Sequence, residues 1–161
     1  MPGLEDLYRE IILDHYKNPR NRGTLEVPPA HKTEGINPLC GDEIAVYLVF
    51  HDGVVKDVKV GGQGCSISQS SASMMSSAVK GKSAADARKI VKAFKSMMGI
   101  HEAGHDEHDD ADATAGIKLG DLEALRGVVK FPVRIKCATL AWNTFGQGLD
   151  DLAPAVPEGA S

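Results

Sequence analysis

Residues 37–65 read NPLCGDEIAVYLVFHDGVVKDVKVGGQGC, two predicted β-strands enclosed by two cysteines. In the first strand, the alternating sets 44, 46, 48, 50 and 45, 47, 49, 51 are both largely apolar, which predicts a strand with both faces at least partly apolar. Asp52-Gly53 is a hairpin-turn signal, and the valines that follow it predict a returning strand. Because a hairpin brings its two ends together, we expect Cys40 and Asp42, just before the hairpin, to lie close to Cys65, just after it.

The third cysteine of the chain, Cys137, belongs to a predicted helix start. Pro132 fits the first position of a helix, and apolar residues recur after it at helical spacing. Cys65 in turn lies just before another predicted helix. Helix N-termini favour negative charge and lower the pKa of a thiol, so we expect both cysteines to form reactive thiolates. Glycines at 41, 61, 62 and 64 predict tight turns that aim the neighbouring side chains inward.

Helical spacing predicts five helices around this hairpin, at 4–17, 67–80, 84–98, 121–126 and from 132 to a glycine at 146 or 148. Ser83 with Asp86 resembles a capping box, and the many small residues of the second helix predict the close approach of another element. Residues 30–36 are a weaker strand candidate. The predicted fold class is α+β, with a small antiparallel sheet of about three strands and helices packed on one face. We assign residues 1–149 to this domain and residues 150–161 to a flexible tail.

The composition is that of an ordinary globular protein, with 42% hydrophobic and 25% charged residues in a chain of 161. This length suits one domain with a substantial core. The net charge of −4 and the lack of a large basic tract argue against nucleic acid as the main partner. No apolar run reaches the roughly 18 residues of a membrane span, and no signal peptide is visible. We therefore expect a cytoplasmic protein, with its cysteines kept reduced.

The side chains of Cys40, Asp42, Cys65 and Cys137 together offer three thiolates and one carboxylate. This set suits tetrahedral zinc and could also hold an iron–sulfur cluster. The cysteines could instead be unrelated, since free cysteine is often buried as a small hydrophobe and the chain has no C-x-x-C pair. A metallohydrolase fits poorly, because it needs an open coordination position for water, whereas four protein ligands close this site.

Four motifs follow one another along the chain: DHYKNPRN (14–21), NPLCGD (37–42), GGQGCSIS (61–68) with SASMM (71–75), and RIKCATLAW (134–142). Together they resemble the IscU/NifU-N superfamily over nearly the whole chain, and within it the SufU branch. Lys136 stands where the scaffold branch, IscU, has a histidine just before its third cysteine. A protonated lysine has no lone pair and cannot bind a metal. Residues 120–132 resemble an insertion typical of the SufU branch.

This resemblance implies a SufE/NifU-like fold and a zinc-dependent sulfurtransferase of iron–sulfur cluster assembly, with zinc held by Cys40, Asp42, Cys65 and Cys137. A partner cysteine desulfurase, SufS, forms a persulfide from free cysteine, and a histidine of that partner displaces the residue matching Cys40 from zinc. The released thiolate takes the terminal sulfur, which passes on to a downstream scaffold of the SUF machinery. Arg134 is implied to steady the site or to contact the desulfurase.

The sequence leaves two other functions open: a scaffold that builds a [2Fe–2S] cluster, with iron at the same residues, and an inert zinc-stabilised adaptor. The segment HEAGHDEHDDADATA (101–115) carries three histidines and six acids. Its glycine and its density of acids favour a solvated loop over a specific metal site. His15, on the flank of the first helix, is expected to have a packing or capping role.

Overall fold

The computed structural model describes residues 4–99 and 119–153, and these form an α+β fold, as predicted. The helices are α1 (Leu4–Lys17), α2 (Ser66–Val79), α3 (Ala84–Met97), a 3₁₀ helix (Gly120–Lys130) and α4 (Pro132–Leu152). The strands are β1 (His31–Asn37), β2 (Asp42–His51) and β3 (Val54–Gln63), paired antiparallel in the order β1-β2-β3. The segment 101–115, rich in histidine and acids, lies outside the described residues.

The predicted hairpin is present, and β2 and β3 are joined by a tight turn at Asp52 and Gly53. Their φ angles are 54° and 76°, both positive as a type I′ turn requires. One face of β2 carries Ile44, Val46 and Leu48, all at most 2% exposed, which is the alternation that the sequence indicated. Strand β1 pairs with the other edge of β2 and confirms the weaker strand candidate.

Two of the glycines that predicted a turn, Gly61 and Gly62, instead continue strand β3, so that prediction is wrong. Gly62 has a φ of 113°, a value that other residues rarely adopt. A Cβ atom at Gly62 would also collide with the backbone carbonyl oxygen of Glu43 on β2. The glycines therefore allow the two strands to stay paired, and a single residue, Gly64, separates the end of β3 from Cys65.

The helices cover one face of the sheet, with α4 against β1 and β2 and with α2 against β3. Helix α2 also packs against both α1 and α4, and its small residues allow this close approach, as predicted. The hydroxyl of Ser71 donates to the carbonyl oxygen of Ala138 over 2.5 Å and accepts from the indole nitrogen of Trp142 over 2.9 Å. The Trp142 ring stacks on Phe94 with a centroid distance of 4.3 Å, which joins α3 to the same core.

The buried side chain of His15 links three helices, which confirms the expected packing role. Its Nδ1 lies 2.8 Å from Ser73 Oγ on α2, and its Nε2 lies 2.9 Å from Asp121 Oδ2 in the 3₁₀ helix. Ser73 Oγ also accepts the backbone N–H of Arg20 over 2.8 Å. The DHYKNPRN motif therefore ties α1 and the turn after it to α2.

The last helix, α4, passes through both glycines that predicted its end and stops at Leu152, so the predicted end is wrong. Gly148 is buried, and a Cβ atom there would lie 2.6 Å from Thr33 Oγ1 on β1. This glycine therefore serves close packing on the sheet and not helix termination. The helix continues past the predicted domain boundary at residue 149, and residues 154–161 of the predicted tail lie outside the described residues.

The short helix before α4 is a 3₁₀ helix, and it runs beyond the predicted range of 121–126. Leu122, Leu125 and Val128 are buried at intervals of three, which is the repeat that aligns side chains along a 3₁₀ helix. Gly127, which predicted the end of this helix, lies inside it. The repeat of three therefore explains both the helix type and its length.

Helix α3 begins at the cap that the sequence predicted. Ser83 Oγ accepts the backbone N–H of Asp86 over 3.1 Å, and Ala87, Phe94 and Met98 are buried against the core.

Across the described ranges, neither α3 nor any other helix is long and apolar enough to cross a membrane.

Candidate metal centre

Three separate segments bring the cysteines together beside one end of the sheet. Cys40 lies in the turn between β1 and β2, Cys65 lies just before α2, and Cys137 lies in the second turn of α4. The sulfur atoms of Cys40 and Cys137 are 3.2 Å apart although the residues are 97 positions apart. One ligand atom from each of Cys40, Asp42 and Cys137 lies within 4.8 Å of the other two. The role of these residues as metal ligands stays a prediction.

The carboxylate of Asp42, the first residue of β2, is fully buried. Its Oδ1 accepts the backbone N–H of Cys65 over 2.9 Å, and its Oδ2 lies 4.0 Å from the Cys65 sulfur. Gly64 leaves room for this contact, because a Cβ atom there would lie 2.5 Å from Asp42 Oδ1. One carboxylate therefore both faces the sulfurs and holds the start of α2 against the sheet.

Cys65 is the N-cap of α2, at the helix start that the sequence predicted. Its sulfur accepts the backbone N–H of Ser68 over 3.4 Å, the bond that a capping serine or aspartate usually makes. Cys65 is partly exposed and lies outside the tight group formed by Cys40, Asp42 and Cys137. The structure thus groups three of the four predicted ligands and places the fourth beside the carboxylate.

The thiol of Cys137 ionises less readily than predicted. Burial, together with hydrogen bonds to Cys40 and Asp42, raises the pKa of this thiol above its ordinary value. The lowering expected from the helix N-terminus is outweighed, because Cys137 lies in the second turn of α4 and faces other acidic groups. A bound cation would reverse this balance, since metal coordination stabilises a thiolate.

Asn37, which the sequence did not single out as a site residue, contacts the Cys137 sulfur. Its buried side-chain amide donates to this sulfur over 3.8 Å. Its backbone carbonyl oxygen accepts the N–H groups of Cys40 and Gly41 over 3.3 Å and 2.9 Å. Asn37 begins the NPLCGD motif, which is the one signal that could have drawn attention to it. Nothing in the sequence indicates that its amide turns toward a helix 100 positions away.

Arg134 lies one turn before Cys137 in α4, and its side chain is exposed. A hydrogen bond to Cys137, followed by the charges of Cys65 and Cys40, raises the pKa of its guanidinium group above the ordinary value. The guanidinium group therefore bonds to Cys137 and lies in the field of Cys65 and Cys40, while its part in any reaction stays a prediction. Lys136 is exposed as well.

A groove of about 800 Å³ opens beside Cys65 and Arg134, between α1 and the 3₁₀ helix. Most of its lining residues are apolar. Three apolar residues next to the site in sequence are also exposed: Leu39 by 73%, Phe131 by 61% and Val133 by 62%. Periodicity did not indicate this surface, because it forms only where several elements meet.

The donor set of this site fits a divalent metal ion. Three sulfurs and a carboxylate are ligands that tetrahedral zinc accepts, with Zn–S bonds of about 2.3 Å. Separations between 3.2 Å and 4.8 Å place the grouped donor atoms within reach of one ion after small movements. Acidic groups this close repel one another once ionised, and a cation between them would remove that repulsion. Thiolates also hold iron–sulfur clusters, so the donor set alone is compatible with either a zinc ion or a cluster.

Proteins of known sequence include clear relatives of this chain. A family model of the NifU-like N terminal domain matches residues 7–138. The zinc-dependent sulfurtransferase SufU of Bacillus subtilis is 47% identical over 146 residues, which cover 91% of each chain. The iron–sulfur cluster assembly scaffold protein IscU of Streptococcus pyogenes serotype M1 is 38% identical, over 94% of this chain and 88% of its own.

Solved structures share the fold over nearly the full chain. A candidate iron–sulfur cluster assembly scaffold protein for the SUF system (FiSufU), from Fervidobacterium islandicum AW-1, matches with a TM-score of 0.72 and 33% identity, over 91% of this chain and 99% of its own. A crystal structure of a hypothetical protein matches with a TM-score of 0.75 and 36% identity, over 91% of this chain and 98% of its own. These findings confirm the resemblance that the motifs indicated: the chain belongs to the NifU-like N-terminal domain family.

Proposed function

We propose that this protein is a zinc-dependent sulfur carrier of SUF-type iron–sulfur cluster assembly in the cytoplasm. It accepts persulfide sulfur from a cysteine desulfurase, SufS, on the thiolate of Cys40, and so acts as a sulfurtransferase. The observation that carries the proposal is the convergence of Cys40, Asp42 and Cys137 beside Cys65. Similarity to a relative named as a zinc-dependent sulfurtransferase supports both the metal and the reaction class.

The metal ligands in this proposal are Cys40, Asp42, Cys65 and Cys137. Bound zinc would keep the thiols ionised, protect them from oxidation and exchange ligands readily, since it has no redox chemistry and little geometric preference. The chain itself holds three of the four ligands firmly. Asp42 is bonded to the N–H of Cys65, Cys65 caps a helix, and Cys137 is buried in α4.

Cys40 is the thiol best placed to leave this set. It lies in the turn between two strands and is partly exposed. Its backbone N–H has one acceptor, the Asn37 carbonyl oxygen at 3.3 Å, whereas Cys65 and Cys137 are fixed to helices. A rotation of the turn would therefore expose the Cys40 sulfur without disturbing a helix.

In the transfer step, the Cys40 thiolate attacks the terminal sulfur of a persulfide on the desulfurase. A new S–S bond forms on Cys40, the S–S bond of the partner's persulfide breaks, and the partner's cysteine leaves as a thiolate. Cys40 then carries the sulfur as a persulfide, and the exchange consumes no oxidant or reductant. A second exchange of the same kind, with an acceptor thiol of a downstream SUF scaffold, delivers the sulfur.

Arg134 acts in this step as an exposed cation next to Cys137. Its charge attracts an anionic persulfide toward Cys40 and balances the negative charge that the exchange moves between sulfurs. The exposed apolar residues Leu39, Phe131 and Val133 offer the desulfurase a surface to cover, since exposed apolar patches commonly mark interaction sites.

A second function, assembly of a [2Fe–2S] cluster with iron at the same residues, is favoured by the scaffold names of two relatives. Thiolates hold such clusters as well as zinc. Lys136 counts against it, because its ammonium group has no lone pair to offer a metal. Metal analysis and a visible spectrum of the purified protein separate the two functions. A carrier is colourless and contains zinc, whereas a scaffold is brown and contains iron and sulfide.

The variant Cys40→Ala tests the carrier mechanism directly. It removes the attacking sulfur and leaves Asp42, Cys65 and Cys137 in place, so we expect near-complete loss of desulfurase stimulation by a folded protein. The measurement is sulfide production by the desulfurase with zinc-quantified protein, and Ser77→Ala, at an exposed position of α2, is the control. Full stimulation by Cys40→Ala would contradict transfer to Cys40. No stimulation by the wild-type protein would favour the inert zinc-stabilised adaptor.

A further inference from the structure

We propose that Asn37 decides which of two neighbouring sulfurs leaves the site, because its amide holds Cys137 in place and so leaves Cys40 as the one released. The inference rests on the proposed function and adds a positioning residue to it. The sulfurs of Cys40 and Cys137 are 3.2 Å apart and belong to the same kind of side chain. Their surroundings must therefore distinguish them.

Hydrogen-bond donors are distributed unequally over the three sulfurs. Cys65 accepts the N–H of Ser68 over 3.4 Å, and Cys137 accepts the side-chain N–H of Asn37 over 3.8 Å. Within residues 4–99 and 119–153, no N–H group donates a hydrogen bond to the Cys40 sulfur, which contacts the Cys137 sulfur instead. A donor fixes the orientation of a ligand and stabilises its negative charge. Cys40 is therefore the least restrained of the three.

Arg134 also bonds to Cys137, but its side chain is exposed, and its charge acts on Cys65 and Cys40 as well. Asn37 contacts only the Cys137 sulfur. Its side chain lies at the end of β1, in a residue that is 6% exposed and pairs with Asp42 of β2. The sheet therefore positions the amide, and the amide positions the sulfur.

The backbone of Asn37 acts on Cys40 at the same time. Its carbonyl oxygen accepts the N–H groups of Cys40 and Gly41, which form the turn. The side chain thus binds the sulfur that stays, while the main chain supports the loop that moves. A substitution of the side chain leaves the carbonyl group in place, so the two roles can be separated experimentally.

Selective labelling tests this inference. Zinc-loaded and zinc-free proteins are treated with less than one equivalent of N-ethylmaleimide, and peptide mass spectrometry gives the ratio of label on Cys40 to label on Cys137. Asn37→Ala removes the amide N–H donor together with most of the side chain. Asn37→Asp keeps the size of the side chain but puts a carboxylate oxygen, which cannot donate when ionised, in place of the amide NH2 group. We expect both variants to lower the ratio by about tenfold, the order expected for a lost hydrogen bond to a charged group.

Thr33→Ala is the matched control. Thr33 lies four residues earlier on the same face of β1, is buried, and has a hydroxyl without a hydrogen-bond partner in the part of the chain that is described. Its truncation changes the packing of the same strand without touching a sulfur, so the ratio should stay at the wild-type value. An unchanged ratio in Asn37→Ala, or an equal fall in Thr33→Ala, would overturn the inference. Because labelling needs no desulfurase, failure of the proposed function would appear separately, as a wild type that does not stimulate the desulfurase.

Discussion

Gly64 is the residue on which the position of the Asp42 carboxylate depends. A Cβ atom at Gly64 would lie 2.5 Å from Oδ1 and 3.0 Å from Cγ of Asp42. The carboxylate is fully buried and accepts the N–H of Cys65, so it cannot move aside without losing that bond. The missing side chain at Gly64 therefore provides space for a candidate metal ligand.

Gly64→Ala should displace the carboxylate and weaken zinc binding. We expect a loss of roughly tenfold to a hundredfold, the range typical when a group that orients a ligand is changed, and a larger loss in Asp42→Ala. Competition with a chromogenic chelator measures the affinity. Gly127→Ala, where a Cβ atom meets no atom within 4 Å, is the control. Wild-type affinity in both Gly64→Ala and Asp42→Ala would remove Asp42 from the proposed ligands.

The sequence indicated which residues meet in the site but not what holds them. A hairpin alone predicts that Cys40 and Asp42 approach Cys65, because that prediction needs only local pattern. The raised pKa of the Cys137 thiol could not be predicted, since burial depends on how α4 packs. The amide contact of Asn37 depends on side-chain orientation across 100 positions, which periodicity does not encode.

Helix α4 contains two glycines with different surroundings. A Cβ atom at Gly146 would meet no atom within 4 Å, whereas one at Gly148 would lie 2.6 Å from Thr33 Oγ1 and 3.2 Å from Leu48 Cδ1. Gly148 therefore lets the helix approach β1 and β2 closely, and Gly146 is only tolerated. Glycines near the end of a helical pattern predict a helix end. Only the tertiary contact shows that Gly148 lies inside the helix and serves close packing on the sheet.

The two glycines of α4 should respond oppositely to alanine. Gly146→Ala should stabilise the protein by roughly 0.5–1 kcal/mol, because alanine loses less backbone entropy in a helix. Gly148→Ala should destabilise it by about 1–3 kcal/mol, because the added methyl group overpacks the contact with β1. Urea unfolding of both variants measures the difference. Equal stabilisation by the two substitutions would contradict the close packing of α4 on the sheet.

Elements defined by local signals matched their predictions, whereas ends that depend on packing did not. Helix α1 ends at Lys17, where the proline at 19 predicts a stop. Strand β3 runs through Gly61 and Gly62 because these glycines allow close contact with β2. The 3₁₀ helix was predicted too short, since its repeat of three buried residues becomes visible only once the core is known.

The molecule holds α4 by different means at its two ends. At the far end, Arg88 donates to Asp150 over 2.8 Å and to the carbonyl oxygen of Ala153, while His31 Nε2 lies 3.0 Å from Asp151 Oδ2. At the near end, α4 carries Cys137 toward donors from β2 and α2. A metal ion there would join β2, α2 and α4 at that end.

Removal of the proposed zinc ion should therefore loosen one end of the molecule. A ligand that binds the native state stabilises it by mass action, so chelation should lower the Tm. Amide hydrogen exchange should rise in peptides covering 37–42, 64–68 and 133–138. Peptides covering 146–152 should stay protected, because Arg88 and His31 hold that end without metal. Mass spectrometry of exchange with and without chelator measures this pattern.

A Cys65→Ala/Cys137→Ala double variant provides the control for zinc removal. It keeps the fold elements but lacks two of the proposed ligands, so chelator should leave its exchange unchanged, and its near end should already exchange as fast as that of the zinc-free wild type. Faster exchange along the whole of α4 after chelation would mean that the ion supports the global fold and not one end. No change in any peptide would mean that the hairpin, α2 and α4 are not joined by a metal. The proposed carrier mechanism would then lack the metal ion that protects its reactive thiolate from oxidation.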